Sequence, residues 1–210
     1  MEPEELDTVE ALVAERVFQS LARNLVVEGT IDPAGKSPEE VRKLVAAYVR
    51  ANIDIEFQLT IDHQQELLDE AERQRDEGRT NYALIFYATW MEHALNGALS
   101  TFGARIELSE LDYLSLVRLS LREKMGAVWF LVTGVQFPAD LRSRALRLAD
   151  ARNRFVHYKW QAASEEPLEL GEAREAALME LAEGVVRDLT TFSKKLIFGD
   201  NDDLADWAHR

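Results

Sequence analysis

Cysteine is absent from the 210-residue chain. Its absence excludes disulfides, thiolate nucleophiles and thiolate zinc sites, and it suits a reducing compartment. No apolar run reaches the roughly 18 residues that a membrane-spanning helix needs. The longest candidate, GAVWFLVTGV (126–135), instead predicts a buried helix. The acidic start of the sequence lacks the basic-then-apolar layout of a secretory signal. We therefore expect a soluble, cytoplasmic protein with no membrane partner.

Cations are in short supply, with 24 lysines and arginines against 38 aspartates and glutamates, a net charge of −14. An acidic chain is a poor candidate for nonspecific nucleic-acid binding, because phosphate contacts need lysine and arginine. The cations are unevenly placed, however, since residues 142–159 hold six of them and one anion. A cationic stripe on an acidic body is compatible with a local phosphate site. The more ordinary interpretation is an arginine-rich, solvated helix face.

Glycine and proline are scarce as well, with 10 and 5 residues, and apolar residues recur every three or four positions over long stretches. This spacing is typical of amphipathic helices. It predicts helices over 3–28, 38–50, 81–103, 138–160 and 173–196, and a shorter pair over 111–119 and 124–132. Turns or loops are predicted over 29–40, 134–140 and 162–172.

The start of the second helix carries a specific signal. Ser37 is followed by Pro38 and Glu40, an N-cap serine with proline at the first helical position and glutamate at the third. Residues 53–62 alternate apolar and polar side chains, which allows a short strand. The polar helical pattern that follows favours a continuing helix, with a hinge at 76–79.

Long amphipathic helices, short loops and no convincing strand predict an all-α helical bundle. We predict an N-terminal helical extension over 1–78, the bundle itself over 79–198 and an acidic tail over 199–210, either frayed or docked through Trp207. The densest apolar helix, over 81–103, should be central, with one face made of Tyr82, Ile85, Ala88, Met91, Leu95 and Leu99. Its aromatic side chains are predicted to be core rather than a base-stacking platform.

The helix over 138–160 carries the most unusual residue. Its apolar stripe runs through Leu141, Ala145 and Leu148, and the next position on the stripe is Arg152. A guanidinium cannot lose its proton, so burying it without a partner is costly, and an anion must meet it. That partner is a carboxylate of the bundle, which is the more frequent case, a cluster of backbone carbonyls or a ligand phosphate. His157 lies five residues on, about 140° around a regular helix.

The segment RNRFVH (152–157) resembles the motif of the HEPN superfamily, an arginine, a polar residue that is often asparagine, and a histidine a few positions later. As in that family, the motif lies near the end of a helix in the second half of an all-α chain. An earlier helix carries Glu92 within an apolar face, as in many members. The resemblance covers roughly residues 80–196 and implies a four-to-five-helix core that forms a homodimer, with both motifs facing one cleft.

For many members the resemblance also implies metal-independent endoribonuclease activity. The RNA 2′-hydroxyl attacks the adjacent phosphate and leaves a 2′,3′-cyclic phosphate. Histidine supplies a proton acceptor and donor near neutral pH, and arginine stabilises the charge of the transition state. The RNA carries its own nucleophile, so we expect neither a metal nor another cofactor.

By this resemblance Arg152 stabilises the transition state, His157 is the acid/base and Asn153 orients them. We assign Glu92 as a supporting partner of Arg152; the alternative is an exposed glutamate at the edge of the face. Contacts to the RNA backbone are assigned to Arg144, Arg147, Arg154 and Lys159.

Tyr158 is placed as a supporting residue beside the motif. In some toxins of the family a tyrosine lies two places after the histidine and is modified by a partner enzyme. Here Tyr158 follows His157 directly and Lys159 is second, which argues against a nucleotidyltransferase partner. The leading hypothesis is an endoribonuclease, as a toxin or antiviral defence effector restrained by an antitoxin or other regulatory protein. The alternatives are a non-catalytic module that binds RNA or nucleotide or only dimerises, and a plain helical interaction protein.

Overall fold

The computed structural model describes residues 3–52, 63–157 and 168–208, and these are helical with short connections and no strand. The expected all-α fold is confirmed. The helices are α1 (Pro3–Val27), α2 (Pro38–Ala51), α3 (Gln64–Asp76), α4 (Thr80–Arg105), α5 (Glu110–Val117), α6 (Leu121–Glu123), α7 (Trp129–Thr133), α8 (Ala139–His157), α9 (Leu168–Phe198) and α10 (Asp202–Ala208). A π turn over Lys124–Val128 joins α6 to α7.

Local chemistry explains several helix ends. At the start of α2 the Ser37 hydroxyl accepts the backbone N–H of Glu40, and the Glu40 carboxylate accepts the backbone N–H of Ser37 over 2.8 Å. This is the predicted capping box. Between α3 and α4 the chain turns at Gly78, whose φ of +72° lies in the left-handed region that glycine adopts without strain. The predicted hinge over 76–79 is therefore a tight turn.

Two compact units divide the chain, one over Met1–Leu59 and Thr191–Arg210 and the other over Thr60–Thr190. They differ from the predicted segments, because α3 packs along α4, and α10 packs with α1 and α2. The boundary near the C-terminus falls inside α9, whose last eight residues are grouped with the first unit.

In the first unit α10 is docked through Trp207, which is 7% exposed. The Trp207 indole N–H donates to the Glu15 carboxylate over 2.9 Å, and Gln19 donates to the Trp207 carbonyl over 2.8 Å. Burial alone would raise the pKa of Glu15, but hydrogen bonds from Arg42 and Trp207 outweigh it and lower this pKa. Of the two alternatives for the tail, the structure shows the docked one.

In the second unit α4 is the central helix and packs against α3, α5, α7 and α8. Ala88, Met91, Leu95 and Leu99 are 0% exposed, as their apolar pattern predicts. Tyr82 is different, because its side chain is 54% exposed. The expectation that Tyr82 belongs to the buried face is therefore wrong, because the buried side of α4 at its start is that of Ala83 and Leu84, which are 0% and 2% exposed.

Two further expectations need correction. Residues 168–172 begin α9 rather than ending a loop; the LELGE sequence there has leucines two positions apart and a glycine, so it shows no three- or four-residue apolar spacing. The 126–135 segment is only partly buried: Trp129 is 0% exposed, whereas Leu131 is 73% exposed. Its α-helical part has five residues, and within the described ranges no helix is long and apolar enough to cross a membrane.

Candidate functional site

The α8 helix places Arg152 against α4. Leu141, Ala145 and Leu148 are buried on the predicted apolar stripe, and Arg152 takes the next position on it. Its Nη2 donates to Oε2 of Glu92 over 3.0 Å, and the two side chains are 26% and 35% exposed. The carboxylate that burial of Arg152 requires is thus Glu92, and the ion pair is only partly shielded from water.

This ion pair leaves Arg152 with unused hydrogen-bonding capacity. A guanidinium has five N–H donors, and one of them meets Glu92. The Nε–H of Arg152 is buried and has no hydrogen-bond partner in the described part of the chain. The guanidinium is therefore oriented by Glu92 but not saturated, so it can donate to a further anionic oxygen.

A buried lysine contacts the same face of α4 that carries Glu92. Lys124 is 3% exposed, and its Nζ donates to Oδ1 of Asn96 over 2.9 Å. Asn96 is one helical turn after Glu92, so the two side chains share a face. Burial lowers the pKa of Lys124, while the negative charge of Glu92 acts in the opposite direction. Glu92 therefore lies within the field of two cations, Arg152 and Lys124.

A backbone distortion allows Lys124 to turn inward. The π turn contains Gly126, whose φ of −102° and ψ of −131° are not helical. Arg142 from α8 holds the helix just before this turn, since its Nη2 donates to the carbonyl of Arg122 in α6 over 3.1 Å. The sequence analysis missed Lys124, because a lysine ahead of an apolar run normally lies at a helix surface. Its signal was weak, a lysine two positions before Gly126, where the apolar stretch begins.

The cationic stripe is less available than its composition suggests. Arg144 donates to Asp140 and pairs with Asp188, each over 2.8 Å. Burial alone would lower the pKa of Arg144, but hydrogen bonds to these two carboxylates outweigh it and raise this pKa. Arg147 and Arg154 are exposed. Of the predicted RNA contacts, Arg144 is therefore engaged within the protein, while Arg147 and Arg154 face solvent.

The remaining motif residues occupy the last turns of α8. Asn153 is exposed, so it lies on a different side of the helix from the inward-facing Arg152. His157 is the last residue of α8. The predicted positions Tyr158 and Lys159 lie outside the described residues. The structure thus brings Arg152 and Glu92 together and leaves the assigned role of each motif residue a prediction.

An aromatic pair lies beside the motif. Phe155, three residues after Arg152, is 37% exposed, and its ring meets that of Tyr82 with centroids 5.9 Å apart and planes inclined by 71°. The pair joins the first turn of α4 to the last turns of α8. It was not anticipated as a surface feature, because both residues fall on helical stripes that predict burial.

The described ranges contain no group of three or more histidine, aspartate or glutamate side chains placed to hold a metal ion. Comparisons of the chain with protein-family models, with curated proteins and with solved structures find no match.

Proposed function

We propose that the protein is a metal-independent endoribonuclease whose reaction centre is formed by Arg152, Asn153 and His157. The observation that carries this proposal is the state of Arg152, a half-buried guanidinium oriented by Glu92 with donors to spare. It lies on the most cationic helix of an acidic chain and begins an Arg-Asn-x-x-x-His motif.

The chemistry follows from the residue types. His157 takes the proton from the RNA 2′-hydroxyl or gives one to the leaving 5′-oxygen, because imidazole titrates near neutral pH. The 2′-oxygen forms its bond to phosphorus as the bond to the 5′-oxygen breaks. Arg152 neutralises the charge that grows on the phosphoryl oxygens. DNA lacks the nucleophile and is not cut.

A homodimer completes the site. Arg152 and His157 are five positions apart on one helix and diverge by about 140°, so a single α8 does not converge them on one phosphate. A two-fold axis near the ends of two α8 helices brings the arginine of one protomer to the histidine of the other. An RNA-cutting enzyme of this kind serves as a toxin or defence effector, with an antitoxin or other regulatory protein as its partner.

Substitution of the motif tests the proposal. Purified wild-type protein is incubated with end-labelled RNA in excess EDTA, beside Arg152→Ala, His157→Ala and the control Arg105→Ala, which removes an exposed arginine at the end of α4. We expect Arg152→Ala to slow cleavage about 100- to 1,000-fold. His157→Ala slows it about 100- to 10,000-fold, and the control cleaves normally. Equal cleavage by all four folded proteins would refute the site.

A second function is favoured by the ion pairs. Glu92 offsets the charge of Arg152, and Asp140 and Asp188 offset that of Arg144, as in a module that binds RNA or a nucleotide, or dimerises, without catalysis. This alternative predicts that RNA shifts the protein in a gel without being cut. It also predicts that Arg152→Ala lowers the stability of the protein, and that neither the wild-type protein nor this variant cleaves RNA.

A further inference from the structure

The pair formed by Tyr82 and Phe155 stands out among the exposed apolar side chains. Their neighbours on the same helices, Ala83, Leu84 and Ala151, are 0%, 2% and 5% exposed. Tyr82 and Phe155 are 54% and 37% exposed, and their rings contact each other. Two large rings half in water at one end of the α4–α8 pair form an apolar surface with no core function.

The geometry of the pair leaves ring surface free for a ligand. The interplanar angle of 71° is an edge-to-face arrangement, in which one ring contributes its edge and keeps both of its faces clear of its partner. A flat aromatic ligand can stack on such a face without displacing the pair. An aliphatic side chain at either position would offer the same apolar area but no stacking surface.

The surroundings favour a nucleic-acid base over an apolar peptide. Arg152 and Phe155 are three residues apart on α8 and share a face, and Arg154, next in sequence to Phe155, is exposed. On α8, Arg147 and Arg154 are exposed, whereas Arg144 is paired with Asp140 and Asp188, so the cations that face solvent near the pair are Arg147 and Arg154. Aromatic rings beside arginines are the elements with which proteins hold single-stranded nucleic acid, the rings stacking on bases and the cations contacting phosphates.

We infer that Tyr82 and Phe155 form a stacking platform for an unpaired base of a single-stranded RNA whose backbone reaches Arg152. This inference rests on the proposed function and specifies the substrate class as unpaired rather than duplex RNA. The platform holds a nucleotide next to the reacting phosphate by its π-face, so it tolerates any base and selects against bases already stacked in a helix.

The test measures binding apart from cleavage. Short single-stranded RNAs in which 2-aminopurine replaces one base at a time are titrated into His157→Ala protein, and into the same protein carrying Tyr82→Leu, Tyr82→Phe or Phe130→Leu. The last is the control, because Phe130 is an exposed phenyl group on α7. We expect fluorescence quenching at one nucleotide position, weakening of binding by about 5- to 100-fold in Tyr82→Leu, and near-normal binding in Tyr82→Phe and the control.

Unchanged affinity and quenching in folded Tyr82→Leu protein would overturn the platform. If the wild-type protein cleaves RNA while the Tyr82→Leu protein binds it normally, the platform is overturned and the proposed nuclease function stands. Tyr82-dependent binding without cleavage by the wild-type protein supports the platform and overturns only the nuclease. A protein that binds no RNA overturns both. Because Tyr82 is largely exposed, the Tyr82→Leu protein should unfold at nearly the same midpoint as the parent protein. Unfolding of the same samples checks this.

Discussion

Arg152 on α8 donates a 3.0 Å hydrogen bond to Glu92 on α4, across the two helices that carry the proposed site. The ion pair takes the place of an apolar contact on the α8 stripe, directly after Leu148, which is fully buried. A carboxylate in this place orients the guanidinium and also reduces its net charge.

A double-mutant cycle measures the coupling of this pair. We expect Glu92→Gln and Arg152→Met to be coupled by about 1 kcal/mol in the free energy of unfolding, because the charges are partly shielded from water. Urea unfolding of the two single variants and the double variant checks it. If the two effects simply add, the contact does not orient Arg152, and Glu92 loses its supporting role.

Lys124 gives the protein a specific dependence on pH. Its folded-state pKa is lowered by burial, whereas in the unfolded chain it has the ordinary value near 10.5. Between these values the unfolded chain binds more protons, so rising pH favours the folded state. We expect wild-type protein to gain unfolding free energy relative to Lys124→Met as the pH rises toward 10.5.

Urea titrations at several alkaline pH values test this gain. Lys43→Met, which removes an exposed lysine from α2, is the control and should run parallel to the wild type. A difference between wild type and Lys124→Met that stays constant with pH would show that Lys124 titrates normally and is not a buried cation.

Trp207 should be a principal stabilising residue of its unit. It is 7% exposed, and it joins α10 to Glu15 and Gln19 of α1. We expect Trp207→Ala to lower the free energy of unfolding by about 3–5 kcal/mol, through lost burial and lost hydrogen bonds. Denaturant unfolding measures it, with the exposed Asp203→Ala as the neutral comparison. A loss no larger than that of Asp203→Ala would mean that α10 is not docked.

The arginines of α8 should differ in their effect on RNA binding. Arg147 and Arg154 are exposed, whereas Arg144 pairs with Asp140 and Asp188. Replacing Arg147 or Arg154 by alanine should reduce the slope of log affinity against log salt by about one each. Arg144→Ala should leave the slope unchanged and lower stability instead. Equal slopes in all three variants would contradict this assignment.

The sequence predicted helix positions well because their signals are local. The Ser37 capping box and the three- and four-residue apolar spacing are complete within one or two turns. Tyr82 was misplaced because α4 is apolar on most sides, so periodicity alone did not show which side chains its neighbours cover. Lys124 was missed because its burial depends on a π turn and on Asn96, 28 positions earlier in the chain.

For the candidate site, the apolar stripe indicated that Arg152 needs an anion, and the family resemblance suggested Glu92 as its partner, with an exposed glutamate as the alternative. It could not show that Arg144 is neutralised, since Asp188 lies in α9, far away in sequence. Asp140, four positions before Arg144, was visible but is one of several local options. Ion pairs between residues far apart in the sequence decide which cations remain free, and composition alone does not predict these pairs.

The chemistry of the cut ends tests the central claim most directly. Wild-type protein in excess EDTA is given a single-stranded RNA and the same RNA with one 2′-deoxynucleotide at the position that is cut. The account predicts products with 2′,3′-cyclic phosphate and 5′-hydroxyl ends from the RNA, and no cut at the deoxynucleotide. Products with 3′-hydroxyl ends, cleavage at the deoxynucleotide, or intact RNA with folded protein would contradict it.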